Sequence, residues 1–309
     1  MAFAGTAKPI KFSVCLSSTL NSNLMIQVKD LSYTYPGSDF PVLRNISFDI
    51  QEGEIFGFLG PSGAGKSTTQ KVLNGLLKGY QGSASVNGTD LEKMDRSFYE
   101  KIGVAFEFPN LYLKLTALEN LKLFASFFNS ATRDPRELLE MVNLSADQDT
   151  RVSAFSKGMK MRLNFIRALL NQPEILFLDE PTAGLDPGNA RIMKDIILDL
   201  KLQGVTIFLT THHMDDAGEL CNRLAFMVNG NLPVIDSTAA LKLKHGKKSI
   251  KVEYIHNEEP LTQEYSLNEL SENQQFMEII RTQKILTIHT QEASLEDIFI
   301  EVTGHQLKQ

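Results

Sequence analysis

The stretch FGFLGPSGAGKSTTQKVL, residues 56–73, decides how the rest of the chain is read. It passes from an apolar run through a cluster of small residues into a lysine, a serine and two threonines. Gly60, Pro61, Ser62, Gly63, Ala64, Gly65, Lys66 and Ser67 fill every fixed position of the pattern G-x-x-x-x-G-K-[ST], and Thr68 continues it. Glycines let the backbone fold back until successive N–H groups converge on phosphate oxygens, where a larger side chain would block the approach. A helix starting near Lys66 aims its positive end at the same anion, Lys66 adds a full charge, and the Ser67 hydroxyl can ligate Mg²⁺. A strand-to-helix turn without a ligand needs neither the lysine nor the serine.

Composition narrows the setting. The chain has 309 residues, 42% of them hydrophobic and 22% charged, which suits an ordinary globular protein with one large core or two smaller ones. A formal net charge of −6 argues against nucleic acid as a partner, since phosphate neutralisation needs clustered Lys and Arg. Cys15 and Cys221 lie far apart, and their spacing suggests neither a disulfide framework nor a zinc site; a reducing compartment fits best. The longest apolar runs, such as ILFL at 175–178, are strand-sized, so a membrane role is expected to come through a partner. Residues 1–24 are rich in small and polar types and are read as a flexible extension.

From Met25 to about residue 235, short β-rich runs alternate with helical ones, the pattern of an α/β fold. FPVLRNISFDI spaces Val42, Ile46, Phe48 and Ile50 as a strand, and IFGFLG is a buried strand. KSTTQKVLNGLL predicts a helix with Val72, Leu73, Leu76 and Leu77 on one stripe. SASVNGTDL predicts a strand and an Asn-Gly turn. Thr116 and Glu119 have capping-box spacing ahead of a helical insert, and a second helix runs through KGMKMRLNFIRALLNQ to Pro173. EILFLDEP and VTIFLTT are buried strands, and MDDAGELCN is helical. Beyond residue 235, KKSIKVEYIH and KILTIHT predict strands and SLEDIFIEV a helix, forming a small accessory domain over 236–309.

A phosphate loop alone leaves several nucleotide chemistries open. Asp179 and Glu180, at the end of ILFLDEP, narrow them: the first can hold Mg²⁺ and the second can orient and deprotonate a water. FSKGMKMRL at 155–163 resembles the signature motif of the ATP-binding cassette (ABC) ATPases, and the resemblance covers about residues 25–235. Tyr35 matches the aromatic that stacks on adenine, Asp186 in AGLDP matches the D-loop, and His212 in TTHHMDDA matches the switch histidine that contacts the γ-phosphate. His213 is read as a surface residue at a helix start. The resemblance implies a mixed-sheet core, an antiparallel β subdomain and a helical subdomain at about 108–165, to which the residue pattern beyond 235 adds a small C-terminal α+β appendix. It further implies that Ser156 and Gly158 of one chain close on the ATP of another, so that ATP becomes part of a dimer interface.

The departures are specific. Glu107 stands where the family has the Q-loop glutamine, so its carboxylate joins Ser67 and Asp179 as a candidate Mg²⁺ ligand while adding negative charge. Lys157 and Met159 replace a glycine and a glutamine of the signature. Phe106, Phe108 and Tyr112 are candidates either for core or for a groove that docks a transmembrane partner. The expected function is the ATP-hydrolysing subunit of an exporter, bound peripherally to a separate permease on the cytoplasmic side of the cell membrane, with ATP and Mg²⁺ as cofactors and a second cassette as partner. The rival readings are a soluble ABC ATPase acting on ribosomes or DNA, a cassette that regulates without hydrolysis, and a phosphate-loop kinase.

Overall fold

The structure, a computed structural model, describes residues 24–245, 249–267, 270–291 and 293–305. The N-terminal extension read from the sequence therefore lies outside the described residues, except for Leu24, which begins the first strand. The chain divides into two compact units, Met1–Ile235 and Asp236–Gln309.

In chain order the first unit contains β1 (Leu24–Tyr33), β2 (Leu43–Gln51), β3 (Ile55–Leu59), α1 (Lys66–Leu73), β4 (Gln81–Val86), β5 (Thr89–Asp90), α2 (Arg96–Lys101) and β6 (Ile102–Ala105). Then follow α3 (Ala117–Ala125), α4 (Pro135–Met141), α5 (Lys157–Arg167), β7 (Ile175–Asp179), α6 (Pro187–Leu202), β8 (Thr206–Thr211), α7 (Met214–Leu220), β9 (Arg223–Val228) and β10 (Asn231–Ser237), whose last residues enter the second unit. Two sheets result. One is antiparallel in the order β2-β1-β4-β5. The other has the order β10-β9-β3-β8-β7-β6, with β9, β3, β8, β7 and β6 parallel. Parallel strands covered on both faces read as unbroken apolar runs, and every residue of β3 and β7 is buried.

The two sheets share one core. Phe48 of β2 packs on Phe56 and Phe58 of β3 with ring centroids 5.8 and 5.0 Å apart, and Phe208 of β8 continues the chain of rings to Phe58 at 5.0 Å and to Phe177 of β7 at 5.9 Å. Offset and edge-on rings at these distances add about 0.5–1.5 kcal/mol per pair to the area they bury. These phenylalanines tie β2 to the middles of β3, β8 and β7.

Local chemistry explains the element boundaries. The Asn87-Gly88 turn between β4 and β5 puts both residues at positive φ, 49° and 70°. At the start of α3 the Thr116 hydroxyl accepts from the Glu119 N–H while the Glu119 carboxylate accepts from the Thr116 N–H, a full capping box. Helix α1 is shorter than its apolar spacing predicts: it ends at Leu73, Gly75 turns the chain at φ 76°, and Leu76 is left exposed. Helix α5 likewise stops at Arg167 instead of reaching Pro173.

The second unit contains α8 (Thr238–His245), β11 (Ser249–His256), β12 (Glu259–Ser266), α9 (Gln274–Thr282), β13 (Lys284–Gln291) and α10 (Leu295–Thr303). Its sheet is antiparallel, in the order β12-β11-β13. Ile250, Val252 and Tyr254 form one buried face with Tyr265, Phe276 and Ile279. Strand β12 and helix α9 were not among the elements expected from the sequence; β12 has mostly exposed residues, so no buried period marks it.

Candidate active site

The phosphate-loop residues connect β3 to α1. Gly60 can only be glycine, because a Cβ there would sit 2.1 Å from the Met227 carbonyl oxygen. Gly65 precedes the helix at φ 115°, a left-handed conformation that other residues rarely adopt. Lys66 opens α1, and its buried ammonium donates to the carbonyls of Gly60 at 2.7 Å and Pro61 at 3.1 Å. Burial pushes Lys66 below the usual lysine range, while the carboxylates of Glu180, Asp179 and Glu107 pull it back up. The loop thus brings a helix N-terminus and a cation together at the end of β3.

Two acids face it from the end of β7. The Ser67 hydroxyl donates to Asp179 Oδ1 at 3.2 Å, and the Thr210 hydroxyl donates to the same oxygen. Register places Thr210 of β8 directly beside Asp179. Glu180 follows at φ 51°, and its N–H donates to the Thr210 carbonyl at 2.9 Å. A non-glycine residue in this region costs free energy that the surroundings must offset, a situation common at sites of function. The Thr211 hydroxyl donates to Glu180 Oε2 at 3.1 Å, and His212 Nδ1 lies 2.8 Å from Glu180 Oε1. Asp179 and Glu180 are buried, whereas the His212 side chain is 45% exposed. Thr210 and Thr211, which hold both acids, escaped the sequence reading. Their signal was two adjacent hydroxyls ending the apolar run TIFLTT, opposite an acidic pair.

The remaining predicted residues fall into two groups. Tyr35 hydrogen-bonds through its hydroxyl to Thr68 Oγ1 at 3.1 Å and meets the Tyr33 ring edge-on at 5.0 Å, which places it beside the start of α1. Glu107 follows β6, is exposed, and acts on Lys66 through its charge. Ser156 caps α5 by accepting from the Met159 N–H, and Asp186 caps α6 by accepting from the Asn189 N–H. These two helix starts adjoin: a Cβ on Gly158 would meet Leu185 at 3.3 Å, and one on Gly184 would meet the Lys157 ammonium at 2.9 Å. Signature residues and the Asp186 turn therefore belong to one surface.

A groove of about 660 Å³ lies elsewhere on the same unit, lined by Leu76, Phe106, Tyr112, Phe124, Phe128 and Arg167 among others. The Arg167 guanidinium stacks 4.7 Å from the Phe124 ring centroid and donates to the Asn110 carbonyl. None of Phe106, Phe108 and Tyr112 is buried, so none is core; Phe108 is 74% exposed and is not among the lining residues.

Comparison with known proteins names the family. A family model described as ABC transporter matches residues 43–183. A "Fluoroquinolones export ATP-binding protein" of Mycobacterium tuberculosis is 50% identical over 284 residues, which cover 92% of this chain and 94% of that protein. The chain belongs to the ABC transporter ATPases. A second family model, described as Fluoroquinolone efflux ABC transporter C-terminal domain, matches residues 248–292. "Nod factor export ATP-binding protein I" of Rhizobium sp. (strain N33) is 34% identical over 284 residues, covering 86% of this chain and 93% of that protein. Among solved structures, a dimeric, post-hydrolysis ATP-binding cassette bound to ADP and Pi is 27% identical, with a TM-score of 0.64 over 69% of this chain and 99% of its own. The fold is that of an ABC cassette, and the chain is an ATP-binding ATPase subunit of the export type. Among the described residues no helix is long and apolar enough to cross a membrane.

Proposed function

We propose that two such cassettes pair head to tail around their nucleotides and drive a separate membrane permease, with Glu180 as the general base. The observation that carries this reading is the convergence of Lys66, Ser67, Asp179, Glu180 and His212 at the adjoining ends of β3, β7 and β8. The N–H groups of Ser62, Gly63 and residues 65–68 cradle the phosphates, and the Lys66 ammonium exchanges its two carbonyl partners for phosphate oxygens. Tyr35 stacks on the adenine.

Ser67 and Asp179 offer oxygen ligands only, which suits magnesium, and Glu107 acts on the same neighbourhood through its charge. The bound ion would neutralise charge on the phosphates. Glu180 accepts the proton of the attacking water through the oxygen that His212 now occupies, while Thr211 holds the other. His212 turns its remaining ring nitrogen to the γ-phosphate. Ser156, Gly158 and Asp186 of the partner cassette complete the pocket, which their shared surface supports. The pair sits on the cytoplasmic face of the membrane, with the groove around Phe124 and Arg167 seating an apolar cytoplasmic segment of the permease.

The cargo proposed is a fluoroquinolone-class compound. Its support is a 50% identical relative named for fluoroquinolone export, matched across both units. Glu180→Gln tests the core of the proposal: ATP binding should persist, turnover should fall by about 10²–10⁴-fold, and an ATP-bound dimer should accumulate in light scattering. Near-normal hydrolysis would assign the base to another group.

A further inference from the structure

At the nucleotide site the structure carries a mixed nitrogen and oxygen donor set, distinct from the all-oxygen pair Ser67 and Asp179. Glu180, His212 and His213 each offer one ligand-type atom, and these atoms all lie within 4.8 Å of one another. The two imidazoles stand with ring centroids 4.1 Å apart. We propose that Glu180, His212 and His213 form a binding site for a borderline divalent cation, zinc above all.

The chemistry of the donors selects the metal. Two imidazole nitrogens and one carboxylate oxygen are the ligand types of three-protein-ligand zinc sites, with a fourth position open to water. Magnesium prefers an all-oxygen shell, so it favours Ser67 and Asp179 over this trio. Metal–ligand bonds of about 2.0–2.2 Å require tetrahedral donors about 3.3–3.6 Å apart. His212 Nδ1 and Glu180 Oε1, at 2.8 Å, need to open slightly, and His213 needs to close in. Both histidines are exposed, while Glu180 is buried and held by Thr211, so the histidines are the ligands that adjust.

The outer supports are already in place. Thr211 donates its hydroxyl to Glu180 Oε2 and accepts the His213 N–H at 3.0 Å, tying the carboxylate and the second histidine through one side chain. The bond to the Glu180 carboxylate orients a ligand directly, and such outer hydrogen bonds are worth about 10–100-fold in metal affinity. Because no cysteine takes part, cysteine spacing could not reveal the site.

A cation held there occupies the Glu180 carboxylate and so blocks hydrolysis; this consequence rests on Glu180 being the general base. The test uses the full chain without an affinity tag, titrated with zinc by calorimetry and assayed for ATP turnover in excess magnesium. One zinc per chain should bind. His213→Ala should weaken binding by at least about tenfold and raise the inhibiting zinc concentration by a similar factor, with turnover in the absence of zinc within about twofold of the parent. His213→Cys, which restores a ligand, should recover binding. Absence of zinc binding to the parent chain, or binding unchanged by His213→Ala, overturns the proposal. Binding that requires His213 yet leaves turnover intact upholds the metal site and instead removes Glu180 from the role of base.

Discussion

Thr210→Val isolates the hydroxyl that supports Asp179. Both residues are buried, valine has nearly the shape of threonine, and the substitution removes one donor to a carboxylate oxygen. A hydrogen bond to a charged group contributes about 1.5–3 kcal/mol. Ser67 still reaches the same Oδ1, so the loss should fall in the lower part of that range, about 1.5–2 kcal/mol. For a unit of this size each kcal/mol moves the midpoint by about 2–4 °C, giving a fall of about 3–8 °C. The chain contains no tryptophan, so far-ultraviolet circular dichroism, without nucleotide and with a chelator, is the suitable readout. The decisive comparison is the same substitution in an Asp179→Asn background, where the hydroxyl meets a neutral oxygen. There it should cost only about 1 kcal/mol. Equal costs in both backgrounds would show that the charge of Asp179 plays no part, and the account of the site's electrostatics would fail.

Three further outcomes are expected. Lys66→Ala should weaken ATP binding by at least about tenfold in equilibrium titration, since a charge-assisted bond to phosphate is lost; retained tight binding would displace the phosphate-loop assignment. Glu107→Gln should hydrolyse ATP at least as fast as the parent, because one negative charge leaves the neighbourhood of the phosphates, and a large drop would make Glu107 a working ligand. Burial pushes the Cys221 thiol from 9.0 up to about 12. Between those values the unfolded chain releases a proton that the folded chain keeps, so stability should fall as pH rises from about 9 to 12. Cys221→Ala should flatten that slope in denaturant titrations, and native Cys221 should resist thiol reagents at pH 8.

What was legible in the sequence was whatever depends on neighbours along the chain. The phosphate loop, the Asn87-Gly88 turn and the Thr116–Glu119 capping box are local devices whose residue types state their own geometry. The predicted stripe through Leu76 and Leu77 failed because Asn74 and Gly75 end α1, and a positive-φ glycine overrides apolar spacing. Thr210 and Thr211 were missed because their importance comes from register: only when β8 lies beside β7 do the hydroxyls face Asp179 and Glu180. The adjacency of Lys157 to Gly184 is likewise a contact across sequence that no spacing foretells. Strand β12 was invisible for a different reason, since a strand with few buried side chains carries little alternation.

Strand β8 acts as a connecting rod. Its far end is pinned where the Gly53 N–H donates to the Thr206 hydroxyl at 2.9 Å, and its near end presents Thr210, Thr211 and then His212. A small axial slip would therefore mistune the acid, the base and the histidine in a single movement. Alterations near Thr206, roughly 13 Å from the chemistry at about 3.3 Å per residue, can throttle turnover while leaving nucleotide affinity nearly untouched. The engine's throttle lies at the opposite end of the strand from its fuel.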